Sequence, residues 1–389
     1  MRRHVLCAIS LASPLAFAQG LPPVPQPAEN PITESKRVLG KILFWDEQLS
    51  FDNTVACGSC HMPEHGGADP VLARHPGPDG INDTIDDLFA SLGVIRTDDT
   101  RSYTPDSIFD LDVQVTSRSA QQNLLSMYSP ELFWDGRAPT TFVDPQTGAT
   151  SIAVGGALES QAVGPVLSDV EMAHEGRDWD AVAAKLEVSA PLAIATDLPA
   201  DVQSILDAAP SYPDLFEDAF GDPSITAERI AFAIATYQRT LVPDQTPWDR
   251  FIAGEPNAMT PGQVQGWNAF QASNCAACHQ APFFTDHTFR IVAVRPAAED
   301  LGRFEVTGAN RDRGRFKVPT VRNVGLKSSF MHTGQFRTLD QVLQFYAGPG
   351  ARGTKRDPLL PRGFAPQVRP AGSDFLESAL TDPRVEAGY

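Results

Sequence analysis

Cysteine is scarce in this chain. Of five, one is Cys7 and the other four form two close pairs, Cys57/Cys60 and Cys275/Cys278. A disulfide framework of the kind that holds small secreted domains is therefore excluded. Long apolar runs are also missing. Beyond the N-terminal segment nothing approaches the ~20 apolar residues needed to cross a bilayer, so the chain is not membrane-spanning. Positive charge is in deficit, with 31 Lys and Arg against 48 Asp and Glu and a formal charge of −17. Nucleic-acid phosphates would repel such a surface, which excludes that class of partner. Sustained apolar–polar alternation is absent too, which excludes a large half-buried sheet.

What is present fits a loop-rich globular protein. Apolar residues make up 42% and charged residues 20%, with 33 Pro and 29 Gly, and the length allows two domains with separate cores. Residues 1–18 read as a signal peptide: Arg2 and Arg3 are the charged start, Val5 to Phe17 the apolar stretch, and Ala16-Phe17-Ala18 the cleavage site. Cys7 leaves with it, coming too early for a lipobox. The mature protein is then exported, hence periplasmic, at a charge of about −19. That field would steer a basic redox partner, or serve solubility alone.

The four remaining cysteines carry the strongest motif. Cys57-Gly58-Ser59-Cys60-His61 and Cys275-Ala276-Ala277-Cys278-His279 both read C-x-x-C-H, the attachment signature of c-type haem. On a helical turn, cysteines at i and i+3 share a face and can each form a thioether. The following His then faces the iron as proximal ligand. A zinc ribbon would need the pairs much closer together, and a thioredoxin-type disulfide explains neither His. The expectation is two covalently bound haems.

The rest of the chain organises around these motifs. Residues 19–35 form a Pro-rich lead-in. Helical patterns fall at Ser35 to Leu43, Gln121 to Met127, Asp178 to Val188, Ala227 to Leu241 and Pro261 to Phe270, the last with Thr260 as N-cap. Irregular insertions occupy roughly 76–116 and 138–160. Within the first, the oxygen donors from Asp79 to Asp87 loosely suggest a calcium loop, but lack the EF-hand spacing and its terminal Glu. Pro243 and Pro247 mark a boundary. The expected fold is mainly α: two cytochrome c-like haem domains, 36–243 and 244–350, with long loops and few short strands. A tail, 351–389, is expected to pack back on the first domain.

Taken in order, these motifs resemble the bacterial di-haem cytochrome c peroxidase and MauG family, over roughly residues 33–350. The likeness rests on Leu39-Gly40-Lys41-Ile42-Leu43-Phe44, Phe133-Trp134-Asp135-Gly136-Arg137-Ala138, Gln161-Ala162-Val163-Gly164-Pro165 and Val170-Glu171-Met172. It continues in Val318-Pro319-Thr320-Val321-Arg322-Asn323-Val324 and Met331-His332-Thr333-Gly334. The resemblance implies that the N-terminal haem, on His61, reacts with hydrogen peroxide, and that the C-terminal haem, on His279, relays electrons. It implies that Glu171 and Gln161 form the distal pair, that Pro165 lines that pocket, and that Trp134 stands between the haems. Arg322 is carried over as a cofactor-binding position. An acid–base group beside an open iron is what peroxide heterolysis requires.

Three positions depend on which branch of the family is matched. His75 lies near the distal His ligand that gates many of the peroxidases, with a surface His as the alternative. Tyr346 aligns with the axial ligand of the second haem, a Met in peroxidases and a Tyr in MauG. A hard phenolate favours ferric and higher states, so Tyr346 points to the MauG-like branch, core packing being the alternative. His332 is expected to support the haem environment; Met331 is the nearest alternative ligand to Tyr346, with core packing as its other reading; His65 is a weaker candidate than His75 for the gate, and His174 and His287 are expected to be ordinary. The family's interdomain calcium loses its Asn ligand here to Ser119, with Lys327 and Ser329 at the carbonyl positions, which puts calcium in doubt. The function implied is a peroxide-activating oxidoreductase served by a small donor cytochrome or cupredoxin, or acting on a protein substrate. The alternative is an electron-transfer cytochrome without turnover.

Overall fold

The computed structural model describes residues 20–360 and 364–388, so the expected signal peptide lies outside the described residues. The helix Glu34–Trp45 organises the first half. Thr33 caps it, its side chain accepting from the Lys36 backbone N–H. Val38, Leu39, Ile42 and Leu43 are all buried, an apolar stripe one helix face wide. That face packs on the helix Ala227–Gln238, nearly every residue of which is buried. At the crossing, a Cβ on Gly40 would stand 1.9 Å from the Ala233 carbonyl oxygen. Only glycine allows the backbones so close. Gly40→Ala is therefore expected to lower stability by about 1–3 kcal/mol, read as a lower denaturant midpoint at unchanged slope.

The helices Trp179–Val188 and Tyr212–Phe220 complete this first core. A second core gathers Trp248, Phe270, Phe284 and Phe375 in mutual ring contacts with Trp267. It is built on the helices Pro261–Ala272, opened by a Thr260/Gln263 capping box, and Leu339–Ala347. Across the junction Arg118 bonds Asp135 at 2.6 Å and clasps Asp300 at 2.7 and 2.8 Å. Among the described residues, strand content is limited to four two-stranded antiparallel pairs. The chain is mainly helical, as expected.

Three local readings differ. The segment expected as a helix at Gln121 to Met127 forms only a short 3-10 turn, Ser126–Tyr128, preceded by Leu125 at positive φ. Its three leading amides are held toward a cavity instead. The first insertion is more ordered than its composition suggests: Ala73–His75 pairs with Leu88–Ala90, and Leu92–Ile95 with Val113–Val115. The C-terminal tail packs chiefly on the second core, because Phe364, Phe375, Leu376 and Leu380 find their apolar partners there. Only its last turn, through Val385, reaches the first core.

Candidate haem sites

The turn Cys57–Cys60 ends at His61, whose Nδ1 lies 3.2 Å from the Gly67 carbonyl oxygen. A carbonyl can only accept, so Nδ1 carries the proton and Nε2 is left free as a ligand. The second motif repeats the arrangement. His279 Nδ1 lies 3.1 Å from both the Phe284 and Pro319 carbonyl oxygens. Burial pushes both imidazoles toward the neutral form that binds metal.

The Cys57 and Cys60 thiols are unpaired, and burial pushes each up to about 12. Thiols so weakly acidic do not suit a reactive dithiol, which needs a stabilised thiolate. They open instead onto a cavity of about 630 Å³, lined by both cysteines, His61 and Phe44. That volume falls in the roughly 300–1,000 Å³ range of cofactor pockets. The same wall carries Gln122 and Asn123, whose buried amide atoms have no hydrogen-bond partner. Orphaned polar atoms around a thiol-bearing cavity fit a polar-edged macrocycle attached through the two sulfurs. Nothing in the sequence flagged these amides as lining a cavity.

The cavity also collects the distal residues. Gln161 ends the helix Ala157–Ala162, Pro165 opens the following turn, and Glu171 comes from the next loop; all three line the space. Neither the Glu171 carboxyl nor the Gln161 amide bonds to another side chain or backbone group among the described residues. Burial holds the Glu171 carboxyl above its ordinary 4.5, partly offset by the Arg137 guanidinium. Arg137 is fixed by Asp135 and by stacking on Phe133, 3.6 Å from the ring centroid.

Trp134 lines the cavity and bridges toward the second half. Its Nε1–H donates to the Ser119 carbonyl at 2.8 Å, and its own carbonyl accepts from the Lys317 N–H at 2.8 Å. His332 sits 6.1 Å from the Trp134 ring and stacks on Phe316 at 3.6 Å. Burial pushes His332 down to about 4, so it stays neutral. His75 also reaches the cavity, but its Nδ1 accepts from the Gly77 N–H at 3.0 Å. That places its proton on Nε2, the reverse of His61 and His279. Of the other histidines, His174 bonds its Nδ1 to the Glu175 carbonyl, and His287 packs beside Phe283.

At the second motif, Tyr346 is half-buried on the helix Leu339–Ala347. Its hydroxyl is pushed well above the usual phenol range by burial and then by its proximity to Cys275, with Cys278 also contributing. The sequence's Tyr346 and Cys275 motifs thus come together. Arg322, expected at a cofactor-binding position, is engaged by protein groups. It is fully buried and donates to Asp249 at 2.6 and 2.8 Å, to the Pro282 carbonyl at 2.7 Å and to the Pro243 carbonyl at 3.2 Å. These bonds brace the loop following His279 and leave the guanidinium little capacity for a cofactor carboxylate.

The expected calcium position does not fit a divalent cation. The Ser119 and Ser329 hydroxyls are 3.3 Å apart and hydrogen-bonded to each other. The Lys327 amine is buried beside this position and pushed down to about 8 by that burial alone. In the acidic loop, Asp86 and Asp87 accept the backbone N–H groups of Asp79 and Asp83, and Arg74 pairs with Asp83 and Asp87. Its oxygens are already used.

Comparison with known proteins places the chain among relatives of one kind. A family model described as di-haem cytochrome c peroxidase matches residues 34–257. The methylamine utilization protein MauG of Methylorubrum extorquens is 30% identical, over 92% of this chain and 82% of its own. The cytochrome c551 peroxidase of Nitrosomonas europaea is 28% identical, over 86% and 79% respectively. Among solved structures, a MauG-like protein associated with microbial copper homeostasis superposes with a TM-score of 0.66 at 22% identity, covering 96% of this chain and 97% of that one. That likeness concerns the fold.

Proposed function

Because this chain belongs to the di-haem cytochrome c peroxidase family, whose members are c-type haem enzymes, we propose that hydrogen peroxide reacts in the cavity at the Cys57–His61 motif. A haem held there by Cys57, Cys60 and His61 would supply an iron with a free coordination position. Glu171, unpartnered and raised in pKa, would accept the proton of the near peroxide oxygen and return it to the far one. Gln161 would orient that oxygen without titrating, and Pro165 would keep water out. The carrying observation is that an unpaired carboxyl and an unpaired amide line the same cavity as the first motif. An electron-transfer cytochrome has no use for such a pair. The two cores are read as the two haem domains, meeting near Pro243.

Cys275, Cys278, His279 and Tyr346 would hold a second haem, which would supply a place to store oxidising equivalents, and Trp134 would link the two sites. That reading aligns the protein with the MauG-like branch. The electrons would come from a small donor cytochrome or cupredoxin, or from a protein substrate in the periplasm. Adding peroxide to the oxidised holoprotein without donor should perturb its absorbance at once. A spectrum indifferent to peroxide at every redox poise would contradict the proposal.

His75 is not read as a gate, since its Nδ1 acceptor contact leaves Nε2 protonated. His75→Ala is expected to leave the ferric spectrum, and the reaction of the oxidised protein with peroxide, unchanged. A low-spin to high-spin change in the variant would restore the gating role.

A further inference from the structure

Trp134 leads from the first site toward the second motif; another indole leads from it toward solvent. Phe44 lines the cavity, and its neighbour Trp45 turns away to lie on the first attachment turn. A Cβ on Gly58, between the two cysteines, would fall 2.3 Å from the Trp45 ring. The indole therefore rests directly on the peptide carrying both thioether positions. Its outer side is partly exposed. Its Nε1–H donates to the Tyr237 hydroxyl at 3.1 Å. Phe44 closes the group, 5.6 Å from the Trp45 ring and 5.3 Å from that of Tyr237. Trp179 and Trp248, by contrast, are buried away from the cavity, with Nε1 groups that have no partner.

We propose that Trp45 is an oxidisable relay of the first site, supplying one electron to it when no donor is bound and exposing the resulting vacancy to an external one-electron donor. The inference rests on peroxide reacting at that site. Hydrogen peroxide takes two electrons and two protons to give two waters. One of those electrons is drawn from the Trp45 indole, which becomes a radical cation; a haem held at that site would supply the other, and solvent both protons. No bond to carbon or nitrogen breaks in that step. The Nε1 hydrogen stays on the indole, shared with the Tyr237 oxygen, because burial keeps the Tyr237 phenol protonated and a phenol is too weak a base to take it. An electron from the donor then restores the indole. Tryptophan and tyrosine are the side chains most readily oxidised by one electron. The only partly exposed indole seated on the turn between Cys57 and Cys60 is thus placed to lose one.

The test uses the holoenzyme, treated with one equivalent of peroxide without donor and then examined by electron paramagnetic resonance and peptide mass spectrometry. The expected result is a tryptophan radical that narrows when the protein is grown on ring-deuterated tryptophan, followed by oxygen addition at Trp45. Trp45→Phe, with both haems still attached, should lose that radical and that modified peptide. A reducing donor added before peroxide should suppress both in the wild type. A radical unaffected by deuteration, or the same radical and modification pattern in Trp45→Phe, would overturn the proposal. Should the variant fail to take up haem, peptide mass spectrometry of the wild type decides: oxygen addition at Trp45 supports the proposal, and addition at Trp134 with none at Trp45 overturns it. If peroxide leaves the wild-type absorbance untouched, the peroxide reading of the first site falls, and this inference with it.

Discussion

Glu171→Gln should slow the reaction with hydrogen peroxide by about 10²–10⁴-fold, the range over which positioned acid–base groups act. Both haems should remain attached, since Glu171 bonds no neighbouring side chain that holds the motif. The amide keeps the size and polarity of the carboxyl but cannot accept a proton. The same reasoning fixes the pH dependence. Glu171 works as a base when ionised, and burial raises its pKa above the ordinary 4.5. The peroxide rate should therefore fall as pH drops through that raised value, so its acid limb lies above the usual carboxylate range. The Arg137 guanidinium favours the ionised form, so Arg137→Gln should move the limb to still higher pH. Stopped-flow rates against pH for the three proteins check both statements.

Tyr346→Met should raise the reduction potential of the second haem by on the order of a few tenths of a volt, within the ~0.8 V that axial ligands span. A phenolate stabilises ferric iron and a thioether ferrous iron. Burial, together with the neighbouring Cys275, makes the free Tyr346 hydroxyl reluctant to ionise. A tyrosinate that loses its iron on reduction should accordingly take up a proton. The wild-type potential should then fall with rising pH, and the Met variant should lose most of that slope. Spectroelectrochemical titration at several pH values reads both. If Tyr346 is merely packed, neither quantity moves.

The attachment motifs were legible because their spacing is itself the chemistry: two thiols and an imidazole one turn apart. The main helices were legible from apolar periodicity and, for one of them, from Thr260, which accepts a backbone N–H as a cap should; Thr33 and Thr226 do the same, and the structure identified them as caps. Glu171 and Gln161 were another matter. Separated by a proline turn, they carry no periodic signal and entered only through the family resemblance; the fold then brought both to one cavity. Local sequence misled where tertiary demands won. Gln121 to Met127 has helix-forming residues, but Leu125 takes a left-handed conformation and the amides face the cavity. Arg322 lies in a family motif, yet its nearest acid, Asp249, is 73 residues away and invisible to any local pattern. The tail's destination likewise depended on aromatic partners that only the folded second core assembles.

The central claim is that two haems share one chain and that only the one on His61 keeps an open position. Electron paramagnetic resonance of the fully ferric holoprotein tests it most directly. The account predicts one high-spin and one low-spin haem in equal amounts, with peroxide abolishing the high-spin signal in the wild type far faster than in Glu171→Gln. Two low-spin haems, or a high-spin signal that survives peroxide, would contradict it.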